Sequence, residues 1–479
     1  MTEVEGESPV FDLVVSGGYV IDGTGRPGFL GDVAVEHGKV AAVSRRPGLL
    51  SGREVVDASG YVVTPGFIDI HTHADRDIIK HPYAVNYVSQ GVTTVVGGNC
   101  GGSMGPGGEA GHAYRAGKGP TYGTMAGFLD DVDNTGIGIN FATFVGQGNV
   151  RAAVMGKEDR APTAEEMNRM KQVLCSAIED GAVGITSGRR YMPGCLAGDD
   201  EIIELMGALT SYGLLYSSHL KNQNDHIISS VEELLEVGLV NNIPVQLTHL
   251  KVTGTENWGM APHLGEMMED ARRRGIDVMG DVYPYTFSGT MARRLSEDKI
   301  TEALSGIDLQ HLSFDTVLEI LRDKGVTVEG RGTANEDDMR HLLAHDYTMV
   351  GSDGVVAGDD YGVVGNHPRS FGAFVRVLGR YARDSRLFTL EKAVQKMTQM
   401  PAERLKIRDR GILKTDCWAD LAILDEAEVC DNSTILNPAA TASGIRSVYV
   451  NGQPVVRHGK PLCQLRPGRV LRYRGADVR

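Results

Sequence analysis

A chain of 479 residues, 41% hydrophobic and 23% charged, has room for one large domain plus a smaller one, with the composition of an ordinary globular protein. Its formal net charge of −14 argues against a nucleic-acid or anionic-membrane surface as the main partner. No apolar run approaches the ~18 residues of a membrane span. The acidic start Met1–Pro9 lacks the order of a signal peptide. Cys100, Cys175, Cys195, Cys417, Cys430 and Cys463 show no framework spacing, so a cytoplasmic, reducing compartment is expected.

Residues 11–62 read as a small β unit. Short β-branched runs at Phe11–Val15, Gly31–Glu36, Val40–Val43 and Val55–Asp57 are punctuated by glycine turns. The tail has the same texture at Asp420–Leu424, Ile445–Val450 and Pro454–Val456, with Asn451-Gly452 as a hairpin turn. Both termini are therefore expected to build one small β domain (1–62 and 411–479) beside a larger one (63–410).

The middle alternates strands and helices. An apolar run from Tyr61 reaches Gly66-Phe67-Ile68-Asp69-Ile70-His71-Thr72-His73, and in a strand residues two apart share a face. Further strands end at Val96, Val145, Thr186, His219, His249, near Asp281 and at Asp353. Thr163-Ala164-Glu165-Glu166 is a capping box before a helix ending near Asp180-Gly181. Asp199–Ser211, Asp225–Val237, Met260–Arg274 and Phe314–Asp323 also read as helices. Eight strand–helix units predict an α/β fold, a distorted (β/α)8 TIM barrel, with an excursion over about 291–346 as a candidate lid.

Side chains at the C-terminal strand ends of such a barrel converge on one site. Here they are His71 and His73, Cys100, His219, His249 and Asp353, an N, S and O donor set suited to Zn²⁺. Each residue has an ordinary alternative as an inert thiol, a core histidine or a turn aspartate. The coincidence of all six at predicted strand ends points to a metal site.

These residues also carry a family pattern. The chain resembles the amidohydrolase superfamily and, within it, the N-acyl-D-amino-acid deacylases. The resemblance rests on Pro65–His73, Gly98-Asn99-Cys100-Gly101, Gly184–Gly188 with Tyr191, and Ser218-His219-Leu220-Lys221. It continues through Thr248-His249-Leu250-Lys251, Asp281-Val282-Tyr283-Pro284-Tyr285, Gly351-Ser352-Asp353-Gly354 and His367-Pro368-Arg369. It implies a barrel with a small β-sandwich from both termini. Cys100, His219 and His249 are implied as ligands of a tightly bound zinc, and His71 and His73 as ligands of a second, weaker metal. Asp353 is implied as general base and acid. Lys251, Tyr191 and Tyr283 match positions facing a substrate carboxylate, joined by an arginine, Arg293 or Arg294. The implied activity is zinc-dependent removal of an N-acyl group from a D-amino acid or similar carboxylate-bearing small-molecule amide.

Three departures from the family pattern lie near the mouth: Lys221 where arginine is usual, Gly146-Gln147-Gly148-Asn149 at the third strand end, and Val355–Asp360 after Asp353. The runner-up activity is hydrolysis of a cyclic amide, as in dihydroorotases and hydantoinases, or of a specialised natural-product amide. The cyclic-amide reading predicts a bridging lysine on the fourth strand, where Val183–Ser187 has none. A non-catalytic metal-binding homologue is opposed by Asp353 standing beside all five metal-ligand candidates.

Overall fold

The computed structural model describes residues 10–107, 122–291, 327–330, 334–357, 367–434 and 437–479. β1 (Val10–Val20), β2 (Phe29–Glu36), β3 (Lys39–Ser44), β4 (Ser51–Asp57) and β5 (Val62–Pro65) form one sheet with four strands from the other end of the chain. Those four are β17 (Leu421–Leu424), β18 (Ile445–Val450), β19 (Gln453–Arg457) and β20 (Lys460–Pro461). The join between the two ends is antiparallel, with Leu421 opposite Pro65 and Leu424 opposite Val62.

The barrel strands are short and buried on both faces, as parallel strands covered by helices must be. β6 (Phe67–Asp69), β7 (Val92–Gly97) and β8 (Asn140–Thr143) make one arc. β9 (Val145–Gly146), β10 (Gly184–Gly188), β11 (Leu215–His219), β12 (Val245–Leu247), β13 (Val278–Val282) and β16 (Thr348–Val350) make the other. Between β13 and β16, β14 (Ser288–Met291) pairs antiparallel with β15 (Thr327–Gly330). The arcs close at the C-terminal mouth by backbone bonds: Asp353 N–H donates to His71 O at 2.8 Å and His73 N–H to Gly354 O at 2.7 Å. Ring closure is thus made by the residues that carry the candidate chemistry. Behind them Phe67 stacks on Phe374, centroids 5.9 Å apart, both fully buried.

The helix Ala164–Glu179 begins at the expected capping box. Thr163 Oγ1 accepts from Glu166 N–H at 3.2 Å, and Glu166 Oε2 accepts from Thr163 N–H at 2.8 Å. Thr163→Ala orphans a first-turn donor and is expected to cost about 1 kcal/mol, read as a lower urea midpoint with metal content unchanged. The other expected helices are shifted by a few residues. Asp199–Met206 is helical and passes into a 3-10 turn at Gly207–Leu209, while Ile227–Asn241 and Ala261–Arg273 complete the set. The helix expected at Phe314–Asp323 lies outside the described residues, as does most of the 291–346 excursion. Its described part includes the helix Glu336–Ala344.

Candidate active site

The barrel strands stop before the chemistry. β6 ends at Asp69, so His71 and His73 occupy the bend beyond it rather than one face of a strand. Their rings stand nearly perpendicular, centroids 5.9 Å apart. Cys100 follows β7 by three residues, His249 follows β12 by two, and Asp353 follows β16 by three. Only His219 is a strand residue. Cys100, His249 and Asp353 have φ of 55°, 37° and 52°, the left-handed region that non-glycine residues avoid. Such strain persists where the surroundings over-determine it, and it gathers at functional sites. Glycines make the close approach possible. A Cβ on Gly351 would lie 2.7 Å from His71 Cβ, and one on Gly188 would lie 2.3 Å from Cys100 O.

The donors converge as two groups sharing one sulfur. His71, His73, Cys100 and Asp353 form the first, and Cys100, His219 and His249 the second, each with its ligand atoms within 4.8 Å of one another. Cys100 Sγ lies 3.6 Å from His71 Nε2 and 3.5 Å from His249 Nε2, and His249 Nε2 lies 2.7 Å from His219 Nδ1. All six residues are buried. Burial, with the nearby Lys251 ammonium, holds His219 and His249 well below the ordinary imidazole range, so both present neutral nitrogens. Buried nitrogens and a sulfur facing one another at these distances fit a borderline cation such as Zn²⁺.

A buried carboxylate supports the histidines. Asp281 Oδ1 lies 2.8 Å from His71 Nδ1 and accepts from His249 N–H at 2.8 Å, while its Oδ2 accepts from Gln246 Nε2 at 2.7 Å. Carboxylates behind metal-binding histidines orient the ring and raise its basicity. Burial pulls His71 down, but Asp281 and Cys100 outweigh it and hold the ring well above its usual range. Burial pushes Asp69 up to about 7, against bonds from Ser352 and the His71 amide.

Asp353 sits between histidines and an arginine. Its Oδ1 lies 3.1 Å from His73 Nε2 and 3.5 Å from His71 Nε2; its Oδ2 lies 2.8 Å from Arg369 Nη1. Burial alone would raise this carboxyl, but Arg369 and the histidines hold it well below the usual carboxylate range. Arg369 and Lys251 flank the face of Tyr283, 5.0 and 5.1 Å from the ring centroid. Lys251 Nζ is 3.2 Å from His249 Nδ1, and burial draws its ammonium down to about 8. The Tyr191 ring meets His219 at 4.8 Å. The Tyr283 hydroxyl is buried and has no hydrogen-bond partner among the described residues.

The structure therefore brings together His71, His73, Cys100, His219, His249, Asp353, Lys251, Tyr191 and Tyr283. Arg293 and Arg294 lie outside the described residues. Lys221 turns away from the mouth, to Asp199 at 2.5 Å and Glu233 at 3.0 Å. Gln147 is fully buried, its amide without a partner among the described residues. After Asp353, Val355 N–H donates to Ser370 Oγ and Ala357 N–H to Asn86 Oδ1; residues 358–366 are outside the described residues. Sequence reasoning did not single out Arg369 or Asp281, although both sit inside the family motifs.

A parallel barrel with sulfur and imidazole donors and a buried carboxylate converging at its C-terminal mouth defines a metal-dependent hydrolase of the barrel type. The sequence model of the amidohydrolase family matches residues 54–328 and 291–456. A D-aminoacylase of Alcaligenes xylosoxydans xylosoxydans is 36% identical over 94% of this chain and 96% of its own. An N-acyl-D-glutamate deacylase of the same organism is 35% identical over 96% of each. A crystal structure of D-aminoacylase superposes with a TM-score of 0.86 at 35% identity, covering 97% of this chain and all of the other. The N-acyl-D-glutamate deacylase of Bordetella bronchiseptica, solved with zinc and a phosphonate mimic of the tetrahedral intermediate, gives 0.87 at 33% over the same shares. The chain belongs to the amidohydrolase family, in the branch that holds the D-aminoacylases.

Proposed function

We propose that this protein is a zinc-dependent hydrolase of linear amides that removes the acyl group from an N-acyl-D-amino acid or a similar carboxylate-bearing small molecule, working in the cytoplasm. The observation that carries it is the shared-sulfur donor cluster with Asp353 beside it. Cys100, His219 and His249 would hold the zinc, with His71 and His73 at a second position. A zinc ion there supplies Lewis acidity toward an amide carbonyl and lowers the pKa of water to ~7.

Asp353 takes a proton from the attacking water at Oδ1, the oxygen turned toward His73 and His71, while Arg369 holds Oδ2. As the new C–O bond forms and the C–N bond breaks, the same carboxyl delivers that proton to the departing amine. Lys251, Tyr191 and Tyr283, with Arg293 or Arg294, receive the substrate carboxylate through charge-assisted bonds, which orient the scissile carbonyl. The absence of a lysine in β10, Gly184–Gly188, favours linear over cyclic amides.

The test is a panel of matched N-acetyl D- and L-amino acids with cyclic ureides and dipeptides, assayed on zinc-loaded protein. Turnover confined to the D-enantiomers is expected. Turnover of ureides alone would replace this reading with the cyclic-amide one.

A further inference from the structure

Of the motif His367-Pro368-Arg369, only the last residue has so far been given a part. His367 is itself buried and belongs to neither donor group. It stands one residue before Pro368, the cap of the helix Arg369–Arg376. The first N–H groups of a helix have no partner within it. Here Arg369 N–H donates to His367 Nδ1 at 3.0 Å, and Ser370 N–H donates to His367 O at 3.1 Å. On the other side of the ring, Nε2 lies 3.0 Å from Phe287 O. A carbonyl only accepts, and Nδ1 already receives a hydrogen, so the ring carries its own hydrogen on Nε2. Burial, with the Arg369 guanidinium, holds His367 well below the ordinary imidazole range, so the ring stays neutral. Each ring nitrogen is thus committed to backbone, one on either side.

The segment gripped at Nε2 leads out of β13 and into β14. Its alternate residues Tyr283, Tyr285 and Phe287 meet the His367 ring at centroid distances of 6.2, 5.4 and 4.4 Å, Phe287 stacked on it. The middle of the segment has anchors of its own. Arg376 Nε donates to Pro284 O at 2.8 Å, and the Tyr285 hydroxyl donates to Asp431 Oδ2 at 2.8 Å. The end at Phe287, the residue before β14, is tied to the helix start by His367. One side chain therefore joins two parts of the mouth. The first is the helix start, which presents Arg369 to Asp353 Oδ2 at 2.8 Å. The second is the aromatic segment that carries Tyr283.

Resting on the amide-hydrolase reading above, we infer that His367 is a positioning residue for the reaction: it fixes the register between Arg369, which orients the proton-carrying Asp353, and the Tyr283–Phe287 segment, which receives the substrate carboxylate. It acts through Arg369 and Phe287 rather than on the reacting atoms. A misplacement of about 1 Å, even from a residue remote from the chemistry, costs up to ~10²-fold in rate.

Two substitutions divide the two halves of this grip. In His367→Asn the side-chain oxygen still accepts from the N–H two residues on, as asparagine does at turns and helix starts, while the ring and the bond to Phe287 O are lost. In His367→Gln the longer amide reaches Phe287 O but leaves Arg369 N–H without that acceptor. The experiment is steady-state kinetics on the best D-substrate, with zinc counted and thermal unfolding followed in the same preparations. His367→Asn is expected to raise KM at least ~tenfold with kcat within about threefold of the parent, and His367→Gln to lower kcat at least ~tenfold. Both variants lose the same ring, so a residue that merely packs would change them alike. Equal kcat in the two variants, or an unchanged KM in His367→Asn, overturns the inference. Absence of amide turnover in the zinc-loaded parent overturns the proposed function and the inference together, whereas a parent that turns over confines any failure to His367. Where a variant fails to fold, nitrogen-15 shifts of the His367 ring in the unmutated protein decide the matter. Hydrogen on Nε2 is expected, and hydrogen on Nδ1 overturns the inference.

Discussion

Asp353→Asn is expected to lower kcat by about 10²- to 10⁴-fold, the range for loss of a positioned general acid–base group. The amide keeps the size of the carboxyl, and its oxygen still meets Arg369 where Oδ2 now lies 2.8 Å from Nη1. What it loses is the negative charge and the capacity to take and return a proton beside His73 and His71. The zinc held by Cys100, His219 and His249 is expected to stay, because Asp353 is outside that group. Steady-state kinetics on the best D-substrate, with zinc counted in the same preparation, separates the two effects. Full kcat in this variant would remove Asp353 from the proton path.

Cys100→Ala is expected to abolish both metal retention and turnover. Cys100 is the member common to both donor groups, and its sulfur stands within 3.6 Å of a nitrogen from each side. Losing a partner behind a ligand costs 10- to 100-fold in metal affinity; losing a ligand itself is expected to cost more than ~100-fold. The backbone at 100 is already left-handed, with φ of 55°, and alanine carries the same Cβ as cysteine, so the substitution adds little strain of its own. Zinc per chain after dialysis at fixed free zinc is the measurement, with thermal unfolding of the metal-free proteins as the control for folding. Undiminished zinc in a folded variant would show that the sulfur is not a ligand.

The donor set is legible in the amino-acid sequence because of how a barrel is written. Each buried strand is a short run rich in apolar residues, and the metal-binding or acidic residue stands at its end or within three positions beyond it, so His71, Cys100, His219, His249 and Asp353 announce themselves by position. The same locality serves the capping box at Thr163, where three residues of spacing settle the geometry. It serves less well for the reach of each strand. β6 and β16 stop two or three residues short of the chemistry, since closure through Asp353 N–H to His71 O and His73 N–H to Gly354 O replaces ladder pairing there.

What the sequence by itself determined is the barrel, the small sheet drawn from both ends, and the residue types that gather at the mouth. These follow from hydrophobic period, turn residues and the order of strand ends, all local properties. What only the tertiary structure decided is which of these groups face one another. Arg369 reaches Asp353 from the start of the helix Arg369–Arg376, and Asp281 reaches His71 across 210 residues of chain. Arg76 lies only three residues from His73, yet nothing in its spacing tells that its Nη2 comes within 3.0 Å of His73 Nδ1. Polar residues in loops carry no period, and their partners are chosen by which loops the closed barrel brings together.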